Sequence, residues 1–228
     1  MASICDNNMN TRGQACNNAS QPLACNGVDN LSQVVVYYAV IPQRDFVLDL
    51  PTSERNEEIL ACTNEQTKRE KYFAWKLLLG AIEQNFGKNA KFVRQPTGKW
   101  TCNLCHFSIS HSNGVVAVAV SNNNVGVDVQ RLTLPTNDKV VERIFSQKQA
   151  DEYLNIVDKL QKSHYFTLVW TQKESIFKLL NQQQFLTTKP QNYNHFTVEK
   201  LLTLQEKGYY LTVACEKTNI VKYVEITL

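Results

Sequence analysis

Val125-Gly126-Val127-Asp128-Val129-Gln130 is the stretch on which the reading of this chain turns. Side chains alternate along a β-strand, so Asp128 and Gln130 share one face and the valines share the other. The valine face suits a core. A carboxylate on the opposite face is solvated, paired or ligating. From this segment alone, Asp128 is as well explained as an ordinary acid near a turn.

Working outward toward the N-terminus, two strands precede it. They are His106 to Ser110 and Val115 to Val120, joined through His111-Ser112-Asn113-Gly114. Before them lies a long helix. Thr63 and Gln66 have capping-box spacing, Trp75, Leu78, Leu79, Ile82 and Phe86 recur at helical spacing, and Gly87 is a natural stop. Its other face carries Lys68, Arg69, Lys71 and Lys76, which read equally as a docking surface or as a solvated face. The apolar, β-branched run Val34 to Ile41 predicts the first strand. Toward the C-terminus, helices are predicted over roughly Lys139 to Phe145, Gln147 to Ile156 and His164 to Asn181. Strands follow at His195 to Glu199, Tyr209 to Cys215 and Val221 to Ile226.

The order is strand, long helix, strands, and then the same again. This predicts an α+β fold of two similar halves in a pseudo-twofold arrangement, each a small antiparallel sheet on a long helix. The boundaries are 32–120 for the first half and 121–228 for the second. Residues 1–31 hold seven Asn, three Cys and little apolar material, too little to offset the entropy of ordering. They are read as a flexible tail.

Two further segments carry candidate chemistry. In Trp170-Thr171-Gln172-Lys173-Glu174-Ser175-Ile176-Phe177-Lys178, Glu174 and Lys178 lie one helical turn apart and can meet. A surface ion pair explains them too. In Phe107-Ser108-Ile109-Ser110-His111-Ser112, Ser110 and His111 end a strand at a turn. Hydroxyls, backbone N–H groups and a histidine there could hold a phosphate, or could simply bond locally.

Taken together, Ser110-His111-Ser112, Gly126-Val127-Asp128-Val129-Gln130 and the Trp170 to Lys178 segment are more specific than any one alone. In order and approximate spacing the chain resembles the surfactin-synthetase-activating type of 4′-phosphopantetheinyl transferase. That family shows a Ser-His-Ser step, a Gly-Val/Ile-Asp-Val/Ile-Glu strand and a Trp-x-x-Lys-Glu-x-x-x-Lys helix. The likeness extends to Arg55 with Glu58-Ile59, to Trp75-Lys76-Leu77-Leu78 and to Thr97-Gly98-Lys99, covering roughly residues 34 to 226.

The resemblance implies transfer of the phosphopantetheine arm of coenzyme A to a serine of an acyl or peptidyl carrier protein. Adenosine 3′,5′-bisphosphate is released, and Mg²⁺ serves as cofactor. It implies Asp128 and Glu174 as metal carboxylates, Glu174 also as the base, and Lys178 near the phosphates. Ser110 and His111 would contact coenzyme A, and Arg55, Arg94 and Lys99 are candidates for its phosphates. The family commonly has Glu where Gln130 stands; an amide oxygen still reaches a metal but carries no charge. A catalytically silent coenzyme A- or carrier-binding member of the fold is the alternative. Trp100 replaces a frequent proline, a change expected to alter a loop. The family expectation is a monomer.

Composition sets the remaining bounds. A net charge of +3 is too weak for the concentrated basic face of a nucleic-acid binder. No apolar run approaches the ~18–20 residues of a membrane span. The N-terminus lacks the basic and apolar regions of a secretory signal, and seven unframed cysteines fit a cytoplasmic protein. Cys102-Asn103-Leu104-Cys105-His106 matches a haem-attachment pattern, but that chemistry needs an oxidising setting. The four histidines show no metal spacing.

Overall fold

The computed structural model describes residues 33–180, 196–204, 206–215 and 220–228. The expected tail at 1–31, Asn181 and His195 lie outside the described residues. In chain order the elements are β1 (Gln33–Val40), α1 (Ser53–Leu60), α2 (Glu65–Phe86), β2 (Phe92–Arg94), β3 (Trp100–Cys102), β4 (His106–Ser112), β5 (Val115–Ser121) and β6 (Gly126–Arg131). There follow α3 (Asp138–Ile144), α4 (Gln147–Asn155), α5 (Lys159–Leu180), β7 (Phe196–Leu204), β8 (Lys207–Cys215) and β9 (Ile220–Glu225).

A mixed α/β fold results. One sheet has the order β4-β5-β1-β9, a second β6-β8-β7, and β2 and β3 form a two-stranded ribbon. Pairing is antiparallel except between β1 and β9, where Val36 lies opposite Tyr223 in a parallel register. The first sheet therefore departs from the expected purely antiparallel form. Its last strand is the chain's final one.

β1 explains itself by position. As an interior strand it is covered on both faces, so it reads as a nearly continuous apolar run. Val35, Tyr37 and Ala39 pack in a core with α2 residues such as Ala74, Leu78 and Ile82. Val34, Val36 and Tyr38 pack in another with Val127 and Val129 of β6 and Leu211 and Val213 of β8. A third core joins α3, α4 and α5 through Val141, Phe145, Tyr153, Phe166 and Val169.

Local signals set the ends. Asn64, not Thr63, caps α2: its side chain accepts the Thr67 N–H, while Gln66 bonds Glu70 instead. At the far end Gly87 takes φ 93°, open to glycine at little steric cost. A full capping box, Ser146 with Gln149, starts α4. The β4–β5 hairpin turns on Asn113 and Gly114, both at positive φ, which is the two-residue turn favoured by strand twist. β4 runs on through Ser112, so Ser110 and His111 lie within the strand and not at a turn.

Two features bring the second half of the chain onto its strand. Thr167, Thr171 and Ser175, spaced by four, are fully buried and give α5 a narrow inner stripe. Opposite them is Gly126, where an added Cβ would sit 1.9 Å from the Ser175 carbonyl oxygen. Helix and strand thus approach at backbone distance. The Thr171 hydroxyl of α5 also bonds the Thr212 hydroxyl of neighbouring β8 at 2.8 Å.

The edges of the two sheets meet through side chains. Ser108, Ser110 and Ser112 alternate along β4, and their hydroxyls accept the backbone N–H groups of Val127, Val129 and Arg131 at 3.0, 3.2 and 3.2 Å. All three serines are buried.

Candidate active site

Asp128 projects from β6 away from Val127 and Val129 and is only 5% exposed. One carboxylate oxygen, Oδ1, accepts from the Ser110 hydroxyl at 2.7 Å and from the Lys178 ammonium at 2.7 Å. The other, Oδ2, is buried with no hydrogen-bond partner among the described residues. Such an atom is costly unless a ligand completes it. Lys178 also donates to the Val127 carbonyl at 3.1 Å.

Glu174 stands one turn before Lys178 on α5. Burial pushes its carboxyl up to about 7, the neighbouring Asp128 carboxylate adds to the rise, and Lys178 opposes it. A buried carboxylate with an unpartnered oxygen beside a half-buried one could hold a cation, although no group of three or more metal-ligating side chains gathers among the described residues. The hard oxygen donors of the two carboxylates suit Mg²⁺.

Beside them opens a cleft of about 570 Å³. Arg55, Lys71, Lys99, His111 and Lys178 line it together with Trp75, Trp100, Phe107, Phe177 and Glu174. Several cations around one carboxylate make it an anion-receiving surface. Arg55 is held by Glu58 at 2.7 Å and lies 4.9 Å from the centre of the Trp75 ring. Lys99 donates to the Lys178 carbonyl at 3.3 Å, and burial lowers its ammonium below the ordinary lysine range. A second cavity of about 680 Å³ shares Lys99, Trp100 and Phe107 as wall.

The structure thus gathers Asp128, Glu174, Lys178, Arg55, Lys99 and His111 around one place. It does not gather every residue the sequence singled out. Arg94 pairs with Glu54 at 3.6 Å beside a separate surface hollow. Gln130 lines a smaller apolar pocket with Thr133, Phe166 and Trp170. The Ser110 hydroxyl is engaged with Asp128 and with Val129 N–H, a supporting role in place of the expected phosphate contact. Trp100 forms strand β3, not a loop, and its indole N–H donates to Glu58 at 3.2 Å. The basic face of α2 is tied down within the chain. Lys68 meets Glu65, Lys71 meets Glu58, Lys76 meets Asp49, and Arg69 donates to the Pro42 and Arg44 carbonyls.

Sequence reasoning passed over Glu70. It sits on α2 only 6% exposed, with Oε2 2.7 Å from His111 Nδ1 and Oε1 accepting from Gln66 and from Gly114 N–H. Burial works to raise its carboxyl, but the bonds from His111, Gln66 and Gly114 outweigh it and hold the group below the ordinary carboxylate value. The one available signal was an acid on the helix face that otherwise carries apolar residues.

The profile of the 4′-phosphopantetheinyl transferase superfamily matches residues 124–221, the segment that contains Asp128, Gln130, Glu174 and Lys178. This segment is similar to the 4′-phosphopantetheinyl transferase superfamily. The 4′-phosphopantetheinyl transferase gsp of Aneurinibacillus migulanus is 33% identical over 97 residues, 42% of this chain and 37% of that protein. The 4′-phosphopantetheinyl transferase Sfp of Bacillus subtilis (strain 168) is 34% identical over 73 residues, 32% of each chain. The psf-1 transferase of Bacillus pumilus is 34% identical over 74 residues, 32% of this chain and 31% of that one. The matched stretch therefore spans about a third of the length of these relatives. On the superfamily side of the cleft stand the two carboxylates and Lys178. Arg55, Lys99 and His111 lie outside the matched residues and rest on geometry.

Proposed function

We propose that this chain transfers the 4′-phosphopantetheine arm of coenzyme A to a serine hydroxyl of an acyl or peptidyl carrier protein, releasing adenosine 3′,5′-bisphosphate. The observation that carries the reading is the Asp128–Glu174–Lys178 group, inside the superfamily segment and at the rim of a cation-lined cleft. Two adjoining cavities that share a wall suit a long ligand with phosphates at its middle.

The unpartnered Asp128 Oδ2 and the adjacent Glu174 carboxylate would hold Mg²⁺. A bound Mg²⁺ supplies offset of phosphate charge and of the charge developing on the leaving oxygen. The protein's own groups do the rest. Glu174 takes the proton of the attacking serine. The serine oxygen bonds to the phosphorus that carries the pantetheine, and the bond from that phosphorus to the bridging oxygen breaks. Lys178, fixed on Asp128, faces the charge of the transferred group. Arg55, Lys99 and His111 hold the remaining phosphates, with Ser110 keeping Asp128 in place.

The repetition of a 22-residue helix on each of the two larger sheets supports a pseudo-twofold relation between the halves. A cleft whose two sides come from one chain favours a monomer.

Incubation with coenzyme A, Mg²⁺ and several apo carrier proteins tests the reading by mass spectrometry. The expected result is a carrier heavier by one phosphopantetheine, lost in Glu174→Ala. No gain on any carrier, with coenzyme A still bound, would instead indicate a silent binding module; no binding either would remove the family function altogether.

A further inference from the structure

We infer that Glu70 is a positioning residue that aims the His111 imidazole into the cleft, so that its Nε2 meets an anionic group of the bound ligand. The inference rests on the reading that this cleft takes the phosphates of coenzyme A.

The geometry is specific. His111 lies on β4 and lines the cleft, while Glu70 lies behind it on α2. Nδ1 is 2.7 Å from Glu70 Oε2. With a carboxylate there, Nδ1 must carry the proton, and the ring turns its other nitrogen away from α2. Glu70 itself cannot swing. Gln66 holds Oε1 at 3.0 Å and the Gly114 amide holds it at 2.9 Å. Against a bound anion both ring nitrogens donate, and the carboxylate behind balances the imidazolium.

Two other cations of the cleft are braced in the same way. Glu58 grips Arg55 at 2.7 Å, and Asp128 grips Lys178 at 2.7 Å. Each long or rotatable cation is thus fixed before a ligand arrives, which lowers the entropy lost on binding. The Glu70 contact also reaches the hairpin turn, which Tyr209 of β8 holds from the other side by donating to the Asn113 carbonyl at 3.1 Å. The ring is therefore referenced to both larger sheets.

The test combines calorimetry of coenzyme A binding with ¹⁵N NMR of the histidine ring. His111→Ala and Glu70→Gln are each expected to weaken binding about tenfold, as the loss of one hydrogen bond to a charged group does. The double variant is expected to bind no more weakly than His111→Ala alone. In the ligand-free protein the spectrum should show a protonated, slowly exchanging Nδ1 on His111 that is lost in Glu70→Gln. A further tenfold drop in the double variant, or unchanged binding in Glu70→Gln, would overturn the inference. So would a ring spectrum unaltered by Glu70→Gln. If the parent protein binds no coenzyme A at all, the functional reading fails, while the ring spectrum still decides whether Glu70 orients His111.

Discussion

At the scale of single residues, Glu174 is held in a place that does not suit its charge. Its folded value of about 7 lies above the ordinary 4.5, so the fold binds that proton more tightly than the unfolded chain does. The sign follows directly. Stability is greatest with the group protonated, declines as pH rises from about 4.5 to about 7, and stays at the lower level above that. At about 1.4 kcal/mol per unit, and with partial exposure discounting the sum, the penalty is on the order of 1–3 kcal/mol. Glu174→Gln, neutral throughout, is expected to melt several degrees above the parent at pH 8 and about level with it at pH 4.5, with a chelator present in both. Melting curves at the two pH values check this; an equal offset at both would show that charge is not the cause. On the proposed function, the same variant is expected to lose transfer activity, the familiar exchange of stability for function.

Among the elements, α5 and β6 decide whether the site assembles. Their contact at Gly126 is made between backbones, so nothing flexible can give way. Gly126→Ala would drive a Cβ to within 1.9 Å of the Ser175 carbonyl and 2.6 Å of the Leu179 N. An expected cost of about 3 kcal/mol or more follows from forced backbone movement, with Glu174 and Lys178 carried away from Asp128. Gly208→Ala is the fitting comparison, because its Cβ would meet the Leu132 side chain at 2.5 Å, which can move. Denaturant unfolding of both variants should rank Gly126→Ala as clearly the more damaging; equal effects would refute the tight contact. Much of this level was legible in the sequence. Alternation around Asp128 and the turn residues Asn113-Gly114 gave β6 and the hairpin, because those signals are local. The order of Glu174 and Lys178 on one helix was equally plain. What escaped was tertiary. Nothing near Val221 announces a parallel pairing with β1, and Trp100 became a strand because β2 offered it a partner and Glu58 an acceptor. Glu70 was missed because an acid four residues after Gln66 looks like any surface acid until its burial is known.

Across the whole molecule, the seam between the two larger sheets rests on Ser108, Ser110 and Ser112. Each hydroxyl is the acceptor for one amide of β6, buried at Val127 and Val129 and partly buried at Arg131. Removing one leaves that N–H unsatisfied, at about 1–3 kcal/mol. Ser108→Ala and Ser112→Ala, which leave Asp128 its Ser110 bond, are expected to destabilise separately by that amount. They should also speed hydrogen exchange at Val127 and Arg131 respectively. Exchange rates unchanged at those amides would count against the seam as described.

The seam also settles what kind of joint links β4 to β6. Two strand edges that met backbone to backbone would fuse into one continuous ladder, as stiff as any other. Hydroxyls standing between them act as three short pins, each turning about its own Cα–Cβ bond. One of those pins carries Asp128. Any slip between the sheets therefore shifts Ser110 relative to the Asp128 carboxylate it bonds, while Lys178, on the helix packed against β6, stays with Asp128. The joint can be loosened pin by pin while both ladders stay whole.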